Sequence, residues 1–342
     1  MRAAVYYGNR DIRIEDRPAP RAGAGELVFR VMASGVCGSD VLEWYRLAKA
    51  PVVLGHEVSG VVEEVGAGLA GFAAGDRIVT THHVPCDACR YCRAGQHPVC
   101  RMLRTTHFDP GGFAELIRLP PPHVARGTFA VPAHVSFEEA SFVEPLACVV
   151  RGQRVAGGAA GKTVAVLGSG MSGLLHLAWA KAQGATRLLA SDIHPFRLAA
   201  ALRAGADVAI DARKEDVPAR IQEANDGRAA DLVVVATAAL PALGHAMRAV
   251  DRGGTILVFA LFPPGITFPF PVHELGADGI AVVSSYAGPP DDMRAALDAI
   301  AAGKIDVSSL ITHRFGLGDT AEAFRLVEEA GESLKVIVEP QR

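Results

Sequence analysis

The chain has 342 residues, half of them hydrophobic and 21% charged. At roughly 150 residues per domain that length predicts two domains, with roughly three quarters of the unfolded surface buried. Lys and Arg (34) nearly balance Asp and Glu (37), and no basic patch of the kind a nucleic-acid or membrane-surface binder carries is legible.

The first 150 or so residues are broken by Gly and Pro into short apolar runs, among them Glu26–Met32, Val58–Val65, Arg77–Thr80 and Phe113–Leu119. Short strands with frequent turn signals predict a β barrel or sandwich. Residues 82–112 carry Cys, His, Pro and Gly with little periodicity and read as a long functional loop. After Gly157-Gly158 the texture changes. Strands are predicted at Thr163–Leu167, Arg187–Ala190, Val208–Ile210, Leu232–Val235, Thr255–Phe259 and Ile280–Ser284. Helices are predicted between them at Met171–Gln183, Pro195–Ala204, Val217–Asn225 and Pro241–Val250. That alternation predicts a doubly wound parallel α/β sheet covered on both faces. Two amphipathic helices, Asp291–Ala302 and Thr320–Ala330, precede a terminal strand, Lys335–Val338, placed to return to the first domain.

No apolar run reaches the roughly 18 residues of a membrane-spanning helix. Residues Met1–Gly8 lack the apolar core of a signal peptide. The expectation is a cytoplasmic protein without membrane or nucleic-acid partners. The cysteines at 37, 86, 89, 92, 100 and 148 then read as something other than a disulfide framework.

Gly168-Ser169-Gly170-Met171-Ser172-Gly173 has the spacing G-x-G-x-x-G, directly after a predicted strand and opening a predicted helix. In that context the first glycine makes the tight turn and the second admits a pyrophosphate. The third lets helix and strand pack closely. The helix N-terminus adds N–H donors and a partial positive charge for phosphate, bringing in the backbone of Met171 and Ser172. Asp192, at the end of the next strand, is placed to accept from both ribose hydroxyls and to repel a 2′-phosphate, which favours NAD over NADP. Arg197 follows on the next helix, as either a cofactor contact or a plain surface residue.

Cys86, Cys89, Cys92 and Cys100 form C-x2-C-x2-C-x7-C. Four soft thiolates in one loop suit a tetrahedral structural zinc. An iron–sulfur cluster run would leave three residues rather than seven before the last cysteine and follow it with Pro. Cys37-Gly38-Ser39-Asp40, Gly55-His56-Glu57 and Val143-Glu144-Pro145-Leu146 lie in or at the end of the β-rich half. One thiolate, one imidazole and one carboxylate compose a catalytic zinc site with an open position.

Taken together, C-G-S-D at 37–40, G-H-E at 55–57, the four cysteines, E-P-L at 144–146, the glycine fingerprint and Thr312-His313-Arg314-Phe315 resemble the zinc-dependent medium-chain dehydrogenases over essentially the whole chain. E-P-L, Trp44 and the His313 region look most like the polyol branch, which includes sorbitol and threonine dehydrogenases. The resemblance implies a GroES-like catalytic domain from 1–150 and 286–342 with a zinc lobe at 82–103. Residues 151–285 would form an inserted Rossmann domain. It implies two zinc ions per chain, NAD, a small alcohol substrate and a homo-oligomer, dimer or tetramer. Cys37, His56 and Glu144 would ligate the catalytic zinc, with Glu57 a nearby carboxylate that exchanges with water on it. Cys148, four residues beyond Glu144, is the rival ligand on spacing alone. Asp40 would hold His56, and Ser39 would take the substrate proton.

One departure concerns the proton relay. Relatives often carry a His five residues after the cysteine, and here that position is Leu42. Ribose and water, or Glu43, would finish the relay instead. His82 falls where relatives have a residue lining the pocket. The competing readings are a primary alcohol dehydrogenase of the same family, a zinc-ribbon interaction or nucleic-acid protein, and an enzyme-derived protein that binds cofactor without turnover.

Overall fold

A computed structural model describes every residue, Met1–Arg342. Strands β1 (Arg2–Gly8), β2 (Asp11–Asp16), β3 (Leu27–Gly35), β4 (Val52–Val53), β5 (Glu57–Val65), β6 (Arg77–Thr80), β7 (Leu116–Leu119) and β8 (Thr128–Ala130) come first. Then follow β9 (Thr163–Leu167), β10 (Arg187–Asp192), β11 (Val208–Asp211), β12 (Ala230–Val235), β13 (Val250–Val258) and β14 (Ala281–Ser284). The chain ends with β15 (Ile311–Gly316) and β16 (Lys335–Glu339). It divides into two compact units, Met1–Ala147 with Ala287–Arg342, and Cys148–Tyr286.

In the first unit one sheet runs β15-β16-β3-β5-β6-β8, with β7 also pairing β3, and a smaller sheet runs β2-β1-β4. Pairings are antiparallel except β15 with β16. β16 reaches β3 by placing Ile337 opposite Gly35 and Val338 opposite Ser34. The last strand therefore lands beside the turn that carries Cys37. The core gathers Tyr6, Phe29, Val31, Phe113, Ile117, Phe324 and Val336, all but fully buried. Each such side chain contributes about 1.5–3 kcal/mol by leaving water.

In the second unit the sheet order is β11-β10-β9-β12-β13-β14, and every pairing is parallel. This is the doubly wound order with its switch point between β9 and β12. β9 is buried at all its positions, as a strand covered on both faces must be. It feeds the turn at Gly168 and the helix Met171–Ala182.

The helices and strands expected from the sequence in this unit appear within a few residues of their predicted ends. The stretch 82–112, expected to be loop, instead contains the short helices Arg90–Arg93 and Arg101–Thr105 and a 3-10 turn at His97–Val99. The physical reason is the cysteine spacing: C-x2-C winds into a helical turn when its thiols converge. The helix Val143–Val155, which no periodicity announced, carries Glu144 in its first turn.

The fingerprint turn tolerates only glycine at two places. Gly168 has φ +97°, and a Cβ on Gly173 would overlap the carbonyl oxygen of Gly168. Gly173→Ala should therefore destabilise the chain by about 1–3 kcal/mol through overpacking. Gly244, a helical glycine with open space around it, makes the control: Gly244→Ala should stabilise by about 0.5–1 kcal/mol. Urea unfolding of both variants checks the pair, and equal effects would contradict the close helix–strand contact.

Candidate metal centres and cofactor site

β3 ends at Gly35, and the chain turns through Cys37-Gly38-Ser39-Asp40. Asp40 is fully buried. It accepts the Cys37 N–H at 3.1 Å, lies 3.2 Å from the Arg46 guanidinium, and stands 3.3 Å from His56 Nδ1. Burial alone would push its carboxyl up. The charges of His56 and Arg46, with the Cys37 N–H, outweigh burial and hold it below the usual carboxylate range. His56 shows the mirror image. Burial lowers it, but the Asp40 carboxylate overrides that and raises it well above the ordinary imidazole value. Asp40 thus engages one ring nitrogen of His56 and leaves the other for a second partner, the arrangement that orients a ligating imidazole.

Candidate ligand atoms of Cys37, His56 and Glu57 lie within 4.8 Å of one another. Glu57 begins β5 and is buried. Its carboxylate accepts from the Lys335 ammonium at the start of β16, and each side chain is 1% exposed. Burial raises the Glu57 carboxyl, with Lys335 pulling in the opposite direction.

Ser39 is held by a residue that sequence reasoning missed. Arg46 donates to the Ser39 hydroxyl oxygen and to its carbonyl, both at 2.9 Å. Glu43, an expected end for the relay, accepts the Asn9 N–H at 3.1 Å instead. Trp44 is 41% exposed.

A second group meets beside the first: His82, His83 and Glu144, again with ligand atoms within 4.8 Å. The His82 ring lies 4.7 Å from that of His56 and 3.5 Å from that of His83. Burial pushes His82 well below the ordinary value and lowers His83, so both are neutral at pH 7. Burial raises the Glu144 carboxyl, but the neighbouring His83 imidazole and the charge of His56 bring it below its usual value. Glu144 is therefore within electrostatic reach of both groups. His83 was not singled out from the sequence; the adjacent His82-His83 pair after a strand was its one available signal. His313, on the edge strand β15, bonds Thr312 at 3.0 Å rather than joining either group.

In the lobe the thiols of Cys86, Cys89, Cys92 and Cys100 lie within 4.8 Å of one another. Cys89 and Cys92 are 3.5 Å apart, and Cys86 and Cys92 3.9 Å. Thiolates held at about 2.3 Å by one tetrahedral ion sit about 3.8 Å apart, so the set fits zinc. The N–H groups of Ala88 and Cys89 lower the Cys86 thiol to about 6. Burial and neighbouring thiols push Cys92 up to about 12. All six cysteines are free of disulfides.

In the second unit, the helix Met171–Ala182 opens at Gly170 with no side-chain cap, so its first N–H groups are available for an anion. Arg197 lies against Gly170, and its Nε is buried without a hydrogen-bond partner. Asp192 accepts Ser169 N–H at 2.7 Å on one oxygen, and Ile193 and His194 N–H at 2.7 and 2.9 Å on the other. A glycine cradle, an uncapped helix and an orphaned guanidinium nitrogen fit a dinucleotide.

Residues 23–131 match the alcohol dehydrogenase GroES-like domain, and residues 173–302 match the zinc-binding dehydrogenase domain. The sorbitol dehydrogenase of Bacillus subtilis (strain 168) is 31% identical, over 100% of this chain and 98% of that protein. The L-threonine 3-dehydrogenase of Pyrococcus furiosus is 31% identical over 98% of this chain and 97% of that protein. The crystal structure of 2R,3R-butanediol dehydrogenase from Bacillus subtilis shares the fold with a TM-score of 0.86 at 27% identity, covering 99% of both chains. The chain belongs to the zinc-binding dehydrogenase family. It is an oxidoreductase that works with zinc and a nicotinamide dinucleotide.

Asp40→Asn keeps the side-chain shape and removes the charge facing His56. It should weaken metal retention at Cys37 and His56 by about 10–100-fold while the lobe keeps its ion. Metal analysis during graded chelation reads this, and unchanged retention would contradict the orienting role of Asp40.

Proposed function

We propose that the chain oxidises polyols and related secondary alcohols with NAD, at a zinc held by Cys37, His56 and Glu144. The observation that carries this reading is the convergence of Cys37, His56 and Glu57 with His82, His83 and Glu144 beside them. One thiolate, one imidazole and one carboxylate leave a coordination position free. A zinc ion held by these residues would supply a Lewis acid that brings the hydroxyl pKa of the substrate toward neutrality.

The chain's own residues do the rest. Asp40 fixes the His56 ring. Ser39 would take the substrate hydroxyl proton, a general-base step, and a bound nicotinamide would supply the hydride acceptor. Arg46 donates into the Ser39 oxygen and polarises it. A guanidinium stays protonated, so Arg46 is no exit for the proton and Ser39 would pass it on toward solvent. Glu57, paired with Lys335, supplies a second carboxylate beside the ligands. Glu144 is favoured over Cys148 because its charge couples to His56 and because it belongs to the E-P-L element. The polar set of His82, His83 and the two carboxylates suits a substrate with a hydroxyl beside the reacting one. The sorbitol and butanediol enzymes among the relatives support that class.

Residues 1–147 with 287–342 then form the catalytic domain and 148–286 the dinucleotide domain. Gly168, Gly170, Met171, Ser172 and Gly173 cradle the pyrophosphate, Arg197 adds a cation, and Asp192 selects NAD. Cys86, Cys89, Cys92 and Cys100 hold a structural zinc. No helix is long and apolar enough to cross a membrane, and six cysteines outside any disulfide suit a reducing cytoplasm. β14 is an edge strand with Val282 36% exposed. An open apolar edge of this kind favours a homo-oligomer.

Steady-state rates at 340 nm across sorbitol, xylitol, 2,3-butanediol, threonine and ethanol test the substrate class. A secondary alcohol should give the highest kcat/KM, with NAD preferred over NADP and the preference narrowed by Asp192→Ser. Ethanol at the head of the series would make the chain a primary alcohol dehydrogenase. Metal analysis should find two tightly held zinc ions per chain. Cys37→Ser should lose one of them and all turnover with the fold intact, whereas Cys86→Ser should lose the other and lower Tm. One zinc or none in fresh protein would contradict the two-site reading.

A further inference from the structure

His82, His83 and Glu144 are more than a polar wall beside the first triad. His82 and His83 follow β6, and Glu144 sits in the first turn of the helix Val143–Val155. The three side chains expose 16%, 9% and 5% of their surface. A single oxygen, Glu144 Oε1, lies 3.8 Å from His82 Nδ1 and 3.7 Å from His83 Nδ1. Both separations fall below about 4.2 Å, the sum of two metal–ligand bonds of about 2.1 Å. At 3.8 Å the His82 contact lies beyond hydrogen-bond range, and His82 Nδ1 is buried with no hydrogen-bond partner. Two imidazoles and one carboxylate make a borderline nitrogen–oxygen donor set that takes divalent first-row ions and leaves open positions.

We infer that His82, His83 and Glu144 form a second station for a divalent ion, next to the one at Cys37 and His56. The inference rests on the reading of Cys37 and His56 as the resident zinc site. Glu144 has two oxygens and stands within electrostatic reach of both groups, so it serves as the carboxylate common to the two stations. The second station has no thiolate. Its ion is therefore held more loosely than the resident zinc and comes and goes with the free-metal level. When filled, it draws on the carboxylate that the resident ion uses, so excess divalent metal depresses turnover.

Cobalt(II) added to the zinc-loaded, dialysed chain tests this. One further equivalent should bind with visible d–d bands and without a near-ultraviolet thiolate-to-cobalt band. His82→Gln and His83→Gln should each weaken that binding at least tenfold, with circular dichroism verifying the fold of each variant. No further equivalent, or an affinity unmoved in both variants, would overturn the second station. A first equivalent that brings a thiolate band abolished by Cys37→Ser has entered at Cys37, and would overturn the resident-zinc reading instead. In that case the next equivalent, without the band, decides the second station in the same way.

Discussion

A buried ion pair at the root of the first unit fixes where the reactive side chains stand. The Lys335 ammonium and the Glu57 carboxylate meet with 1% exposure on each side. They join the last strand of the chain to a strand begun some 280 residues earlier, and β16 meets β3 at Gly35 and Ser34 on the same rim. A Cβ at Gly35 would overlap the Glu57 carboxylate, so the end of β3 is shaped around the pair. Two residues further on lies Cys37, and one residue before Glu57 lies His56. Leaving either charge unpartnered costs about 3–5 kcal/mol, so the C-terminal strand is held in place under the metal pocket.

Around that root the charges are arranged in opposite senses. Asp40 and Arg46 surround His56 and Ser39 with fixed partners. His82 and His83 are instead neutral, buried imidazoles close to a carboxylate. One side of the pocket is thereby held in a fixed network of hydrogen bonds and charges. The other offers lone pairs. The second unit contributes a different kind of site, made of backbone: a glycine turn, an uncapped helix and a carboxylate already locked by three N–H groups.

The sequence was most legible where function depends on local spacing. The glycine fingerprint, the C-x2-C run and C-G-S-D each pack their chemistry into a few residues, and the parallel sheet announced itself as near-continuous apolar runs such as Val164–Leu167. What stayed hidden depends on distant pairing. Lys335 begins a terminal strand and looks like a solvent-facing cation, since nothing local marks a buried partner at Glu57. Arg46 has no motif, and only the turn of helix Glu43–Arg46 brings its guanidinium back to Ser39. The lobe read as loop because its helices are too short to show a period, their ends being set by the converging thiols. The N-terminal hairpin β1–β2 escaped because β2 is short and largely exposed, with little apolar burial to announce it.

A double-mutant cycle on Glu57 and Lys335 tests this account most directly, using Glu57→Gln, Lys335→Met and the pair together, with urea unfolding as the readout. If the buried pair anchors the C-terminal strand beneath the metal pocket, each single change destabilises by about 3–5 kcal/mol. The double variant then recovers a large part of that loss, giving a coupling of about 2 kcal/mol or more, within the range for contacting residues. Additive effects, or single changes within about 0.5 kcal/mol of wild type as at ordinary surface sites, would contradict it.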